Sequence, residues 1–162
     1  MQMPPIEVEI SDDIDAPPEA VWPYLVDWER LGRWMKEASR LRVTSAQRER
    51  VGTEVEARIC IGGIGTVDPI RVIRWEPPEV LEIEHLGWVK GTGIMRCTRR
   101  GAGTRLTWKE TLVPPWGPIG ALGMRLWQPM MRWTFRRDLS LLKSLVEEEA
   151  GREPRDQPGR SR

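Results

Sequence analysis

The chain has 162 residues, with 9 Trp, 1 His and 2 Cys, and 25 Lys+Arg against 24 Asp+Glu, for a net charge of +1. That length is one domain with room for a sizeable core, and the balanced charge provides no global field for nucleic acid or an acidic substrate. One His and two separated Cys exclude a usual four-ligand zinc site, a CxxC redox motif and a disulfide framework, so no metal and no cofactor is expected. The two cysteines suit a reducing, cytoplasmic setting.

The start, MQMPPIEVEI, lacks a basic region and a long apolar run, so it does not read as a signal peptide. Ile6, Val8 and Ile10 alternate with Glu7 and Glu9, the period of a half-buried strand. Pro17 and Pro18 end it and open a helix with Val21, Trp22, Leu25 and Val26 on one face. A second short helix is expected over Glu29 to Met35.

Strands follow to about residue 113. Leu41 and Val43 alternate with polar residues, as do Val55, Ala57, Ile59 and Ile61. Gly62, Gly63 and Gly65 mark a turn; no helix opens after them, so a phosphate loop is excluded. Arg71 to Trp75 is apolar at both parities, which points to a bulge or burial on both faces. Leu81, Ile83 and His85 share one face of the next strand, and Gly91 to Arg99 form another. In the last strand Leu106, Trp108, Glu110 and Leu112 share a face.

PPWGPIG (Pro114 to Gly120) reads as a rigid loop before a long helix from about Ile119 to Glu149. At 100° per residue Leu122, Leu126, Met130, Trp133 and Leu141 form one stripe, expected to face the sheet. Pro129 is expected to kink this helix or split off its first turns. The uncharged stretch from Thr111 to Met124 is broken by three prolines and is shorter than the roughly 20 residues a membrane span needs. Residues 150–162 have almost no apolar content and are expected to be disordered.

Four segments carry a family resemblance. IDAPPEAVWPYLVDWERLGRWM (Ile14 to Met35), RVIRWEPPEVLEIE (Arg71 to Glu84) and GTGIMRCTRRGAGTRLTWKETL (Gly91 to Leu112) resemble, in that order, the first strand and helices, the central hairpin and the last hairpin of the START / polyketide cyclase-like (SRPBCC) superfamily. LSLLKSLVEEE (Leu139 to Glu149) resembles the end of its C-terminal helix. The resemblance implies an α+β helix-grip fold over 1–149: a curved antiparallel sheet of about seven strands around a long C-terminal helix, with two short helices after the first strand. It also implies a cavity for a hydrophobic ligand, with no universal catalytic set.

The candidate site follows from parity. His85 and Glu110 are acid–base candidates on the inner face; the alternatives are a half-exposed His at its strand end and a Glu at the sheet rim. Arg137 reaches either the cavity and Glu110, or solvent. Val55, Ala57, Ile59, Leu81, Ile83, Met95, Trp108, Leu126, Met130 and Trp133 are expected to line the ligand cavity, or to be ordinary core. Trp34, Trp116 and Trp127 are expected at its portal. Arg96, Arg99, Arg100 and Arg105 read as a solvated basic face.

Three functions remain open at this level. The first is a carrier of a lipid, quinone or polyketide-like aromatic. The second is a polyketide cyclase, dehydratase or aromatase using His85 and Glu110. The third is a protein-partner module. The expected partner is a hydrophobic small molecule, with no nucleic acid, at most transient membrane contact, and a monomeric or homodimeric chain.

Overall fold

The computed structural model describes residues 4–61 and 63–152. The alternating N-terminal segment is β1 (Ile6–Ile14), with Ile6, Val8, Ile10 and Ile14 buried. Helix α1 (Pro18–Val26) starts with Pro at its first turn, where the missing N–H is not needed, and Glu19 there suits the helix dipole. The second expected helix shrinks to a 3₁₀ turn, Leu31–Arg33. Gly32 explains the shortening: a Cβ there would lie 3.0 Å from the Ala38 carbonyl, so the chain turns directly into the next strand.

Six more strands follow: β2 (Ala38–Val43), β3 (Glu54–Ile61), β4 (Ile64–Glu76), β5 (Val80–His85), β6 (Lys90–Arg100) and β7 (Gly103–Val113). They form one antiparallel sheet in the order β1-β7-β6-β5-β4-β3-β2. The Arg71–Trp75 ambiguity resolves as a register shift between Val72 and Arg74. That extra residue lets both parities meet apolar neighbours. Of the glycine turn, Gly62 lies outside the described residues, while Gly63 takes a positive φ of 82° at the β3–β4 hairpin.

Helix α2 (Gly117–Arg152) is continuous through Pro129 and runs past Glu149, so residues 150–152, expected in the tail, are helical. The rest of that tail lies outside the described residues. The first half of α2 rests along β1: Met131 packs with Val8 and Leu112, Gln128 donates to the Glu7 carbonyl and Arg132 to the Glu9 carbonyl. Its second half buries Leu139, Leu142 and Val146 in the main core with α1 and the inner face of the sheet. Of the expected stripe only Leu141 packs against the main core, partly buried. Leu122, Leu126, Met130 and Trp133 are exposed, roughly opposite Met131, Leu139, Leu142 and Val146 on the helical wheel. Two apolar stripes compete in this sequence, and the one containing the smaller Thr134 and Ala121 lies closer to the sheet. No described helix is long and apolar enough to cross a membrane.

Candidate functional site on the concave face of the sheet

Sheet register assembles the site. Directly opposed residues share a face. Ile83, Gly93 and Glu110 form one inward row across β5, β6 and β7; Ile70, His85, Gly91 and Leu112 form the next. Asp68 continues the inward parity of β4 beyond Ile70, opposite Ala57 on β3. The surrounding wall is apolar: Val55, Ala57, Ile70, Leu81 and Trp108 are buried, and Ile59, Ile83 and Met95 pack partly buried against them.

His85 and Glu110 belong to strands separated by β6, so their backbones stand roughly 10 Å apart at the usual strand spacing. Glycine closes that gap. Gly93 places no side chain between them: a Cβ there would come within 2.6 Å of Glu110 Oε1 and 2.8 Å of Oε2, while at Gly91 a Cβ would meet the Thr111 carbonyl at 2.0 Å, so β7 also lies close against β6. Gly91 has a φ of 143°, where other residues are strained. Gly87, in the β5–β6 connection, clears space for Asp68 in the same way: its Cβ would lie 2.4 Å from Asp68 Oδ1.

The imidazole therefore spans two carboxylates. His85 Nδ1 lies 2.6 Å from Asp68 Oδ2, and Nε2 lies 3.0 Å from Glu110 Oε2. Trp108 Nε1–H donates to Glu110 Oε1 at 2.7 Å. The Trp108 ring is itself held, stacked on Phe135 (centroids 4.4 Å) and edge-on to Trp34 (6.0 Å). The side chains of His85, Asp68 and Glu110 are 15, 13 and 9% exposed. Burial alone would push the imidazole pKa down, but the hydrogen bonds and charges of Asp68 and Glu110 outweigh it and raise the pKa to about 10. Each ring nitrogen is engaged with a carboxyl group, so at neutral pH the ring offers no free nitrogen to a ligand.

Asp68 is the member that sequence parity did not reveal. The signal was present: Asp68, Ile70 and Val72 alternate inward, but the preceding glycines and Pro69 masked the strand's beginning. Arg137 does not reach Glu110. It forms ion pairs with Glu37 and with Asp138 (3.1 Å), and its guanidinium lies 5.4 Å from the Trp133 ring centre. Asp138 is fully buried on α2, and burial, then the neighbouring Glu37 carboxylate, raise its pKa to about 7.

The portal expectation divides. Trp34 is not at a mouth: it is 1% exposed, with its indole N–H on the Tyr24 carbonyl, forming part of the inner wall beside Trp108. The 3₁₀ turn, tighter than a helix, folds it inward. Trp116 and Trp127 are exposed, and Trp116 packs edge-on against Trp88 of the β5–β6 connection, a residue the sequence did not single out. Leu126, Met130 and Trp133, expected along the cavity wall, stand outside it on the outer side of α2, with Leu126 75% and Trp133 58% exposed.

An open groove of about 390 Å³ lies elsewhere, between Asp13–Asp15, the β6–β7 turn and Lys143–Glu147, and touches none of the three cluster residues. Arg99 and Arg105 of the basic hairpin pair with Glu19 and Asp13 at the surface. Among the described residues no group of three or more His, Cys, Asp or Glu is arranged to hold a metal ion.

Solved structures share this architecture. TTHA0849 from Thermus thermophilus superposes with a TM-score of 0.77 at 22% identity, covering 90% of this chain and 99% of that one. The Zhui aromatase/cyclase from Streptomyces sp. R1128 gives 0.70 at 18% identity, covering 96% and 99%. The di-domain ARO/CYC StfQ from the steffimycin biosynthetic pathway gives 0.75 at 14% identity; the chain covers 52% of it, with 91% of its own length matched. No curated protein matches the sequence significantly. The family model for polyketide cyclase / dehydrase and lipid transport proteins matches residues 5–147, with the strand order and long C-terminal helix described above, and the chain belongs to that family.

Proposed function

We propose that the protein binds a hydrophobic small molecule, such as a lipid, quinone or polyketide-like aromatic, on the concave face between the sheet and α2. The observation that carries this reading is the Asp68–His85–Glu110 cluster, a partly exposed polar point set in an apolar wall of Ile70, Ile83, Leu81, Met95 and Trp108. Sites for small ligands combine these two parts, an apolar lining for affinity and a few polar groups for orientation. Two of the solved relatives are aromatase/cyclases, which supports an aromatic or polyketide-like ligand.

The test is organic extraction and native mass spectrometry of freshly purified protein, with titration by the neutral dye Nile red. A copurifying hydrophobic species, or dye binding that Ile83→Trp weakens at least tenfold, is the expected result. Protein that carries nothing and leaves the dye dark overturns the reading.

The 3.0 Å contact between His85 and Glu110 favours a second reading, an acid–base enzyme on an enolisable polyketide-like substrate. In it Glu110, not the protonated His85, accepts the proton. Turnover of a poly-β-ketone mimic, lost in Glu110→Gln, separates an enzyme from a carrier.

A further inference from the structure

Hydrogen-bond arithmetic at the cluster goes one step further, and rests on the binding reading above. The two contacts of His85, at 2.6 and 3.0 Å, each need one proton between nitrogen and oxygen. Two protons can be placed in two ways: an imidazolium between two carboxylates, or a neutral imidazole between one carboxylate and one carboxylic acid. Both arrangements leave a net charge of −1 and engage every N–H and O–H inside the cluster. The indole N–H of Trp108 is engaged as well, on Glu110 Oε1.

What remains toward a ligand is therefore acceptor capacity. Asp68 Oδ1 meets no donor among the described residues, and Glu110 keeps further lone pairs. Among the described residues no Lys or Arg bonds to any of the three side chains. Lys90, on the adjoining connection, is exposed and donates instead to the Leu86 carbonyl. Arg71, near in sequence to Asp68, pairs with Glu54.

We infer that the site selects ligands that bring hydrogen-bond donors, such as phenols, alcohols or ammonium groups, and rejects carboxylates. A phenol supplies the donor that Asp68 lacks. A ligand carboxylate would bring acceptor to acceptor and negative charge to negative charge, with no free N–H to receive it. Fatty acids are thereby disfavoured and polyphenolic or amine-bearing ligands favoured, though both classes bury comparable apolar area.

Four probes of one shape test this at pH 7: 2-naphthol, 2-(aminomethyl)naphthalene, 2-methylnaphthalene and 2-naphthoate, each displacing Nile red. The expected order places 2-naphthol and the amine at least tenfold tighter than 2-naphthoate, with the hydrocarbon between. Asp68→Asn and Glu110→Gln each remove the charge, and in whichever variant folds the penalty on 2-naphthoate should shrink to threefold or less. Binding of 2-naphthoate within twofold of 2-naphthol to the unaltered protein overturns the inference. An unchanged tenfold preference in both folded variants overturns its assignment to this cluster. If Nile red binds and none of the four probes displaces it, the inference falls while the binding reading stands. If the dye does not bind, the inference falls, and the binding reading falls with it when extraction also yields no hydrophobic species.

Discussion

Two buried acidic clusters in this protein have the same ingredients and different outcomes. Asp68, His85 and Glu110 combine two carboxylates with one cation; so do Glu37, Arg137 and Asp138. In the first the cation stands between its partners, and each carboxylate receives a well-placed N–H. In the second the guanidinium comes from one side, tethered near Trp133, and among the described residues Glu37 Oε2 and Asp138 Oδ2 are buried with no hydrogen-bond partner. Charge count does not distinguish the two. The number of donors that fit does, because a buried oxygen without a donor forfeits its hydration and gains nothing in return. The difference shows in the titrating groups: His85 has its pKa raised to about 10 by its two carboxyl partners, while Asp138 has its pKa raised from 3.8 to about 7 by burial first, then by the hydrogen bond and charge of Glu37.

The largest expected effect comes from removing the central cation. His85→Leu leaves Asp68 and Glu110 facing an apolar side chain and should cost about 3–5 kcal/mol in urea unfolding. A loss under about 1 kcal/mol would break the contrast, since the first cluster would then be no better satisfied than the second.

Asp138→Asn should act in the opposite direction and more weakly. With a folded-state pKa above the unfolded value, the native protein binds more protons between pH 3.8 and about 7, so this group's stabilisation is complete below that window and lost as pH rises through it. The amide removes that dependence. The variant should be more stable than the parent by about 1 kcal/mol at pH 8 and show little difference at pH 4. Equal pH slopes for the two proteins would show that Asp138 is better paired than its geometry indicates.

The gentlest probe perturbs nothing. His85 is the single histidine of the sequence, so its ring resonances in untagged protein need no assignment strategy. They should keep imidazolium shifts through pH 8 and titrate at about 10. The stability that this raised pKa contributes is complete below about 6.5 and fades as pH climbs toward 10. A midpoint near 6.5 would sharpen the comparison against the proposal that both N–H groups are engaged.

Strand parity made much of this legible. His85, Glu110, Trp108 and Ile83 fall on the inner face as alternation predicts, because a period of two leaves no freedom once register is set. Helical periodicity was less binding. Around α2 the stripe of Leu126, Met130 and Trp133 and the stripe of Met131, Leu139 and Leu142 are both apolar, and a 3.6-residue period does not say which meets the sheet. The Arg125, Arg132 and Arg136 row borders either choice. Trp34 is buried because residues 31–33 turn sharply into β2, where Gly32 leaves room for the Ala38 carbonyl, a tertiary feature that no local pattern carries. Asp68 is hard to read from sequence because its alternation begins in a glycine-rich hairpin, where strand signals are weakest. The Arg137 pairing joins residues 100 positions apart in the chain, beyond any local signal.

The two glycines of β6 have a consequence for how the sheet finds its pairing. A slip of one residue would bring Thr92 or Ile94 to the inner face in place of Gly91 and Gly93. Either side chain would stand between His85 and Glu110, leaving the imidazole and the carboxylate separated and buried. The cluster closes only when β4, β5, β6 and β7 are all in native alignment. The glycine gap thus ties the alignment of four strands to one network of hydrogen bonds, a constraint on register beyond the apolar pattern.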